Sequence, residues 1–279
     1  MFLFTEDCIL GIEEIDNEHR HLFEMINQVL DMLNKSSLLD QYQEIKDLIA
    51  DLENYADQHF DHEEAYMKKI RDPELILQRS QHMVFREKID EFDVVSVDLE
   101  EEQVQVLREL LEFLAKWLYH HILGSDIMIG KLPPLEEWMI RDNPCEFTDE
   151  YLNGIPLVDA EHKALFAIVE KANNLVRSQD MDSTEKIDKI LEILQSLKGY
   201  AKDHFHDEEE YMASISYNGL EAQKRAHDAF IDKIENISMK ELYEHPQEYL
   251  HSLLQFLLGW LINHILHTDK KIPVPELEY

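Results

Sequence analysis

The 279-residue sequence predicts an all-α fold made of two tandem up-down-up-down four-helix bundles. Three observations support this prediction. The chain has only 7 glycines and 8 prolines, so few residues are suited to turns and long loops. Apolar residues recur at spacings of three and four, which is typical of helices with one buried face. Finally, the pattern of the first half of the chain is repeated in the second half.

The repeat can be followed along most of the chain. FTEDCILGIEEIDNEHRHLF, which starts at Phe4, aligns with FTDEYLNGIPLVDAEHKALF, which starts at Phe147. YADQHFDHEEAYM likewise aligns with YAKDHFHDEEEYM. Residues 1–129 are therefore predicted to form one domain and residues 147–279 a second domain. Residues 130–146 contain three prolines and no clean periodicity, and they are predicted to be a linker.

Each copy contains four predicted helices. The apolar face of the first carries, in order, Ile15, His19, Leu22, Ile26, Leu30 and Leu33. A second helix is predicted from about Gln41 to Ile70, a third from just after Pro73, and a fourth up to Asp126. The second copy repeats this order, with breaks near Asp182, Asn218 and Pro246.

The charge of the chain excludes some classes of partner. There are 59 acidic and 26 basic residues, which gives a formal charge of −33. Nucleic-acid phosphates and anionic membrane surfaces would repel such a protein, so neither is an expected partner. No convincing signal peptide and no apolar run of membrane-spanning length are present, which predicts a cytoplasmic protein. The two cysteines, Cys8 and Cys145, are too few for a disulfide framework and are expected to be small buried side chains.

Ionisable residues on the inward helix faces indicate a metal centre. His59 and Glu63 are four residues apart, on one face of a helix, and a buried carboxylate needs a partner such as a metal ion. The candidate ligands of the first copy are His19, His59, Glu63, His82, His121 and Asp126. Those of the second copy are His162, His204, Glu208, His227, His264 and Asp269. A single core histidine is usually structural, but the same six positions occurring twice favour dinuclear iron or manganese sites.

The motifs GIEEIDNEH, HFDHEE, HMVF and WLYHHILGSD resemble those of the bacterial hemerythrin family, whose domains are also called hemerythrin-like or HHE cation-binding domains. GIPLVDAEH, HFHDEE, HDAF and WLINHILHTD resemble them again. The resemblance implies a four-helix bundle with a non-haem di-iron centre, bridged by one Glu, one Asp and an oxo or hydroxo group. One centre per domain corresponds to four irons per chain. Many members of the family bind O2 reversibly.

The resemblance also implies a role for each ligand. In the first domain, His19 and His59 would hold one iron, and His82 and His121 the other. Glu63 and Asp126 would bridge the two irons. In the second domain the corresponding residues are His162 and His204, then His227 and His264, with Glu208 and Asp269 as the bridges.

Both copies depart from the family pattern at the same position. The family usually has a fifth histidine where this chain has Gln78 and Gln223. An amide oxygen is a weaker ligand for iron than imidazole, so the glutamine either ligates weakly or leaves an open position. An open position on each iron would suit reduction of peroxide or coupling of two nitric oxide molecules. If the glutamine ligates, or water fills the gap, O2 binding persists.

Several neighbouring residues have two interpretations. Tyr66 and Tyr211 lie two turns after His59 and His204, and they are either pocket residues that donate a hydrogen bond or an electron, or core tyrosines. Trp117 and Trp260 precede the histidine of the fourth helix by four residues and are expected to wall the site. His120 and His267 are not shared between the copies and are expected to face solvent.

Three functions are compatible with these residues and motifs. The first is a binding protein that takes up O2 or a related small diatomic for storage, delivery or scavenging. The second is a di-iron oxidoreductase that reduces NO, peroxide or O2, and it would need a separate electron-donor protein because the chain has no dinucleotide or flavin motif. The third, a sensor, is disfavoured because no output domain remains. Whether the protein turns over a substrate stays open.

Overall fold

The computed structural model describes residues 2–35, 38–90, 100–132, 145–178 and 181–274. These residues form helices and turns, and no strand is found among them, so the all-α prediction is confirmed. Of the predicted linker, residues 133–144 lie outside the described residues.

The helices follow each other in two groups of similar order. The first group consists of α1 (Glu13–Lys35), α2 (Leu38–Ile70), α3 (Leu75–Asp90) and α4 (Glu100–Gly124). The second group consists of α5 (Pro156–Arg177), α6 (Ser183–Ser214), α7 (Leu220–Glu235), α8 (Met239–Glu244) and α9 (Pro246–His267). Within each group, consecutive helices pack together from α1 to α3 and from α5 to α7, and the first helix also packs on the last, α1 on α4 and α5 on α9. This is the arrangement of a four-helix bundle in each repeat.

The fourth helix of each repeat ends earlier than the sequence predicts. We expected the helix of the first repeat to continue to Asp126, but α4 ends at Gly124. Asp126 instead begins a short 3-10 turn, Asp126–Met128, and Asp269 begins the matching turn after α9. The change of direction turns both aspartates back towards the bundle interior, where they are fully buried.

A glycine and an aspartate shape the chain before the first helix of each repeat. Gly11 and Gly154 both have φ of +89°, which glycine adopts without strain. One turn into the helix, the Asp16 carboxylate accepts hydrogen bonds from the backbone N–H groups of Leu10 and Gly11. Asp159 accepts the equivalent bonds in the second repeat. The shared pattern G-I-x-x-x-D therefore fixes the backbone where the first helix of each repeat begins.

The helix α9 is the most apolar of the described helices. It is the one described helix that is long and apolar enough to cross a membrane, and 78% of its most apolar window is buried inside the fold. Burial of this kind is expected of the core helix of a bundle. Cys8 and Cys145 are both buried, as the sequence predicts.

The two repeats pack against each other through α4 and α7. At the crossing, a Cβ added to Gly124 would lie 2.9 Å from the backbone oxygen of Ala229, so the helices approach more closely than a larger residue would allow. Asp7 receives a hydrogen bond from Arg225, and His120 lies 3.2 Å from Asp232. His120 therefore faces the second repeat, and the expectation that it faces solvent is wrong.

A buried ion pair also joins the repeats. The Lys233 ammonium donates to Glu74 at 2.8 Å, and both side chains are almost completely buried. The same ammonium lies 3.7 Å from the centroid of the Phe256 ring, which adds a cation–π contact. Burial raises the pKa of Glu74 to about 7, although Lys233 opposes this shift. The pair links the α2–α3 turn to α7.

We expect Lys233→Met to destabilise the protein by about 3–5 kcal/mol above pH 7, because it leaves the Glu74 charge buried without a partner. The double variant Glu74→Gln/Lys233→Met should recover most of this loss, because it leaves no buried charge. Urea unfolding of the four proteins of this cycle measures both effects. Equal losses in the single and double variants would contradict the proposed role of the pair.

The pH dependence provides an additional check on Glu74. Its folded-state pKa lies above its ordinary value, so its contribution to stability is fully present at low pH and is lost as the pH rises through about 7. Glu74→Gln should therefore flatten the decline in the free energy of unfolding between about pH 4.5 and 7, relative to the parent protein.

Candidate metal centres

In the first bundle, three predicted ligands from two helices meet on one side of the interior. His19 comes from α1, and His59 and Glu63 lie one turn apart on α2. The Nε2 atoms of His19 and His59 are 3.1 Å apart. One ligand atom from each of the three residues lies within 4.8 Å of the others, and all three side chains are buried. This spacing leaves the lone pairs of the group directed at a common point.

A second group faces the first across Glu63. His82 on α3 and His121 on α4 have Nε2 atoms 3.0 Å apart, and His82 Nε2 lies 3.2 Å from Glu63 Oε2. Asp126 connects the groups, because its Oδ1 lies 3.1 Å from His121 Nε2 and its Oδ2 lies 3.3 Å from His19 Nε2. Glu63 and Asp126 thus lie between two pairs of imidazoles, where each can contact both groups.

The second bundle repeats this geometry. His162, His204 and Glu208 form one group, and Glu208, His227 and His264 form the other. Asp269 again lies between them, with Oδ1 3.1 Å from His264 Nε2 and Oδ2 3.5 Å from His162 Nε2. The structure therefore brings together all six residues that the sequence singled out in each repeat.

The buried polar atoms of these groups fit a pair of cations. Both carboxylate oxygens of Glu63 and of Glu208 lack a hydrogen-bond partner, as do Oδ2 of Asp126 and of Asp269. Buried carboxylate oxygens without partners are costly unless a cation balances them. A mixed set of imidazole and carboxylate donors suits iron or manganese.

The protonation states also suit metal ligands. Burial raises the pKa of Glu63, but the imidazoles of His121 and His82 outweigh it, so that the pKa lies well below its ordinary value and the carboxylate is ionised. Burial lowers the pKa of His264 to about 3, which keeps this imidazole neutral. His227 differs, since the nearby carboxylates of Glu208 and Glu209 outweigh its burial and raise its pKa to about 9. Metal binding there must displace a proton.

In each centre, two of the histidines also contact a glutamate that is not itself one of the candidate ligands. His59 Nδ1 lies 2.8 Å from Glu18, and His82 Nδ1 lies 2.9 Å from Glu64. Glu161 and Glu209 do the same for His204 and His227. Such a contact fixes the ring and presents Nε2 as the free donor atom. These four glutamates were not predicted from the sequence, although both repeats show the signal: one glutamate directly precedes the first ligand histidine, and the other directly follows the ligand glutamate.

Aromatic rings pack on the other face of the ligands. Phe60 stacks on His82 at a centroid distance of 3.9 Å, and Trp117 stacks on His121 at 4.3 Å. Phe205 and Trp260 stack in the same way on His227 and His264. These rings exclude water from the imidazoles and limit their rotation.

The two glutamines contact the bridging aspartates. Gln78 Nε2 donates to Asp126 Oδ1 at 2.7 Å, and Gln223 Nε2 donates to Asp269 Oδ1 at 3.2 Å. Both side chains are buried, and neither Oε1 atom has a hydrogen-bond partner. Each amide is thus anchored by its nitrogen next to the centre, with an oxygen still free to accept.

The tyrosines do not join these groups. The Tyr211 hydroxyl donates to the backbone oxygen of Pro273 in an exposed position, and Tyr66 is only half-buried. The structure therefore provides no support for Tyr211 as a pocket residue.

We expect Glu18→Gln to weaken metal binding in the first domain by about 10- to 100-fold, because His59 loses its orienting carboxylate. Competition with a metal chelator measures the affinity. The exposed Glu14, one turn earlier on the same helix, provides the control Glu14→Gln. Equal affinities in the two variants would show that the Glu18 contact does not hold the ligand.

Comparison with known proteins agrees with this geometry. The family model for the hemerythrin HHE cation binding domain matches residues 10–132 and again residues 153–272. A bacteriohemerythrin of Clostridium acetobutylicum is 39% identical over 123 residues, which cover 44% of this chain and 94% of that protein. A myohemerythrin of Theromyzon tessulatum is 29% identical over 144 residues, covering 52% of this chain and 96% of that protein. No solved structure matches the chain at a significant level. The chain therefore belongs to the hemerythrin family, and it carries the domain of this family twice.

Proposed function

We propose that the protein is a non-haem di-iron protein that binds O2, or a related small diatomic, at one centre in each bundle. The observation that carries this proposal is the convergence of four imidazoles and two carboxylates in each interior, with buried carboxylate oxygens that lack hydrogen-bond partners. The names of the relatives, bacteriohemerythrin and myohemerythrin, support the same function. Four irons per chain are expected.

The residues around each centre have separate tasks. Glu63 and Asp126 would supply the carboxylate oxygens that hold the two ions, and the four histidines would hold them through ring nitrogens. Glu18 and Glu64 orient two of these histidines, while Phe60 and Trp117 keep water from the rings. A ferrous di-iron centre, when bound, supplies the electrons and the coordination position that reversible O2 binding requires. Manganese would satisfy the same ligands, so the choice of iron as the metal bound in the cell is itself part of the proposal.

The test is anaerobic loading with ferrous iron, followed by a metal count, addition of O2 and purging. Four irons per chain and a visible absorption band that appears with O2 and disappears on purging are expected. The double variant Glu63→Ala/Glu208→Ala is the matched control and should show neither iron nor band. A fully loaded protein that oxidises irreversibly without the band would overturn the binding function.

The glutamines favour a second candidate function. Gln78 and Gln223 replace a stronger ligand in both centres, and their amide nitrogens are bound to the bridging aspartates. An open position on the second ion would suit a di-iron oxidoreductase that reduces NO, peroxide or O2. Such an enzyme requires an electron-donor protein, and the charge of −33 would attract a basic one. For either function we propose a cytoplasmic location.

A further inference from the structure

A cleft between the two repeats reaches the second metal centre. Its volume is about 1060 Å³. Part of its lining belongs to that centre, namely Gln223, Trp260 and His264. Another part belongs to the first repeat and includes Leu123, Ile127 and Lys131. The first repeat thus contributes to the surroundings of a metal centre that it does not ligate.

The matching face of the first centre opens only on a smaller cavity of about 320 Å³, which Trp117 lines but none of the six candidate ligands of that centre does. Gly124 occupies the position that His267 has in the second repeat, and it is in close contact with Ala229 of α7. Met128 occupies the position of Lys271 and is 1% exposed, whereas Lys271 is exposed. The cavity on the α3–α4 face of the first centre therefore does not reach that centre's candidate ligands, while the cleft reaches His264 of the second centre.

The cleft contains two ammonium groups in a strongly acidic protein. Lys131 and Lys271 both line it, and neither forms an ion pair within the described part of the chain. Asp7 also lines the cleft but is paired with Arg225, at 2.9 Å. Glu6 is the other carboxylate of the lining. The cleft is thus locally more positive than the rest of a chain whose formal charge is −33.

We propose that this cleft is the entrance through which small inorganic anions reach the second metal centre, and that Lys131 and Lys271 attract them. The inference rests on the proposed function in one respect, since the anion's destination is a bound metal. A charged cleft with walls of low dielectric concentrates ions of the opposite sign and raises their association rate. Neutral diatomic molecules gain nothing from this charge. The two centres of the chain are therefore expected to differ in their access to anions and not in their access to O2.

Azide is a suitable probe because it is a small anion and its binding to ferric iron changes the visible spectrum. The second centre is observed alone in Glu63→Ala and the first alone in Glu208→Ala. In the Glu63→Ala protein, adding Lys131→Glu and Lys271→Glu should slow azide binding by about tenfold at low ionic strength, and the effect should shrink in about 0.5 M salt. In the Glu208→Ala protein the same two changes should have little effect. Equal effects at the two centres would overturn the proposal.

A matched pair of substitutions controls for total charge. Lys171→Glu/Lys189→Glu changes the net charge equally, at exposed positions of α5 and α6 that do not line the cleft. This control should leave the azide rate at the second centre within about twofold, because the two residues do not line the cleft and the Coulomb interaction weakens with distance. The lysine substitutions, both those of the cleft and those of the control pair, should leave the O2 binding rate of the remaining centre unchanged. A control effect as large as that of the cleft lysines would contradict a local role for them.

A labelling experiment tests the cleft without any metal. Ala222→Cys places a thiol in the cleft. We expect the ratio of its reaction rates with anionic iodoacetate and with neutral iodoacetamide to fall several-fold when Lys131→Glu and Lys271→Glu are added. Ser196→Cys, exposed on α6, should show no such fall. Peptide mass spectrometry separates these sites from the native cysteines. If the ratio falls but no iron is retained, the di-iron function fails while the anion-attracting cleft stands; an unchanged ratio refutes the cleft itself.

Discussion

Glu63→Ala is expected to empty the first metal centre and to reduce bound iron from four to two per chain. Glu63 lies between both histidine pairs of that centre, and its two oxygens have no hydrogen-bond partner in the buried interior. Without it, Asp126 would be the one carboxylate left among the candidate ligands of that centre, which is too little negative charge for two buried divalent ions. The second centre, which has its own Glu208, should keep its iron.

The measurement is iron per chain after anaerobic loading and gel filtration. Glu208→Ala should also halve the bound iron, because it empties the second centre, and the double variant Glu63→Ala/Glu208→Ala should bind no iron. Glu210→Ala is the matched control because Glu210 is exposed on the same helix as Glu208. Four irons in Glu63→Ala would show that this glutamate is not a bridge. Circular dichroism confirms that each variant remains helical.

Gln78→His/Gln223→His is expected to lengthen the lifetime of the O2-dependent absorption band by about tenfold, which corresponds to about 1.4 kcal/mol in the barrier to irreversible oxidation. An imidazole is a stronger ligand for iron than an amide oxygen, so it would complete the coordination that the glutamines leave weak. The substitution also removes the amide hydrogen bond to the bridging Asp126 or Asp269. Stopped-flow spectroscopy after mixing with O2 measures the lifetime.

Gln78→Leu/Gln223→Leu separates these two effects. It removes the amide hydrogen bond without supplying a ligand, so the band should be no longer-lived than in the parent protein. If the histidine and leucine variants behave alike, the bond to the aspartate controls reactivity and the ligand position does not. If the histidine variant matches the parent, the glutamines are incidental to the chemistry.

The helical fold and the candidate ligands could be predicted because both depend on short-range spacing. The apolar face of α1 follows from residues three and four apart, and His59 and Glu63 share a face of α2 for the same reason. Because the same residue types recur at the matching positions of the second repeat, each candidate ligand position was supported twice by the sequence. The end of α4 was predicted two residues too late, because the turn that buries Asp126 begins with Ser125 and leaves no mark in the helical period.

The sequence by itself determined the fold class, the repeat and the residue types that converge in each bundle, since periodicity and motif spacing are local properties of the chain. Only the tertiary structure decided how the repeats meet and how the ligands are held. Glu18 contacts His59 across 41 positions, and Lys233 contacts Glu74 across 159. Such contacts depend on which helix faces pack together, and helical periodicity does not specify that choice. The same packing leaves His264 of the second centre lining a cleft, while the smaller cavity beside the first centre reaches none of its candidate ligands, although the ligand motifs of the two centres are nearly alike.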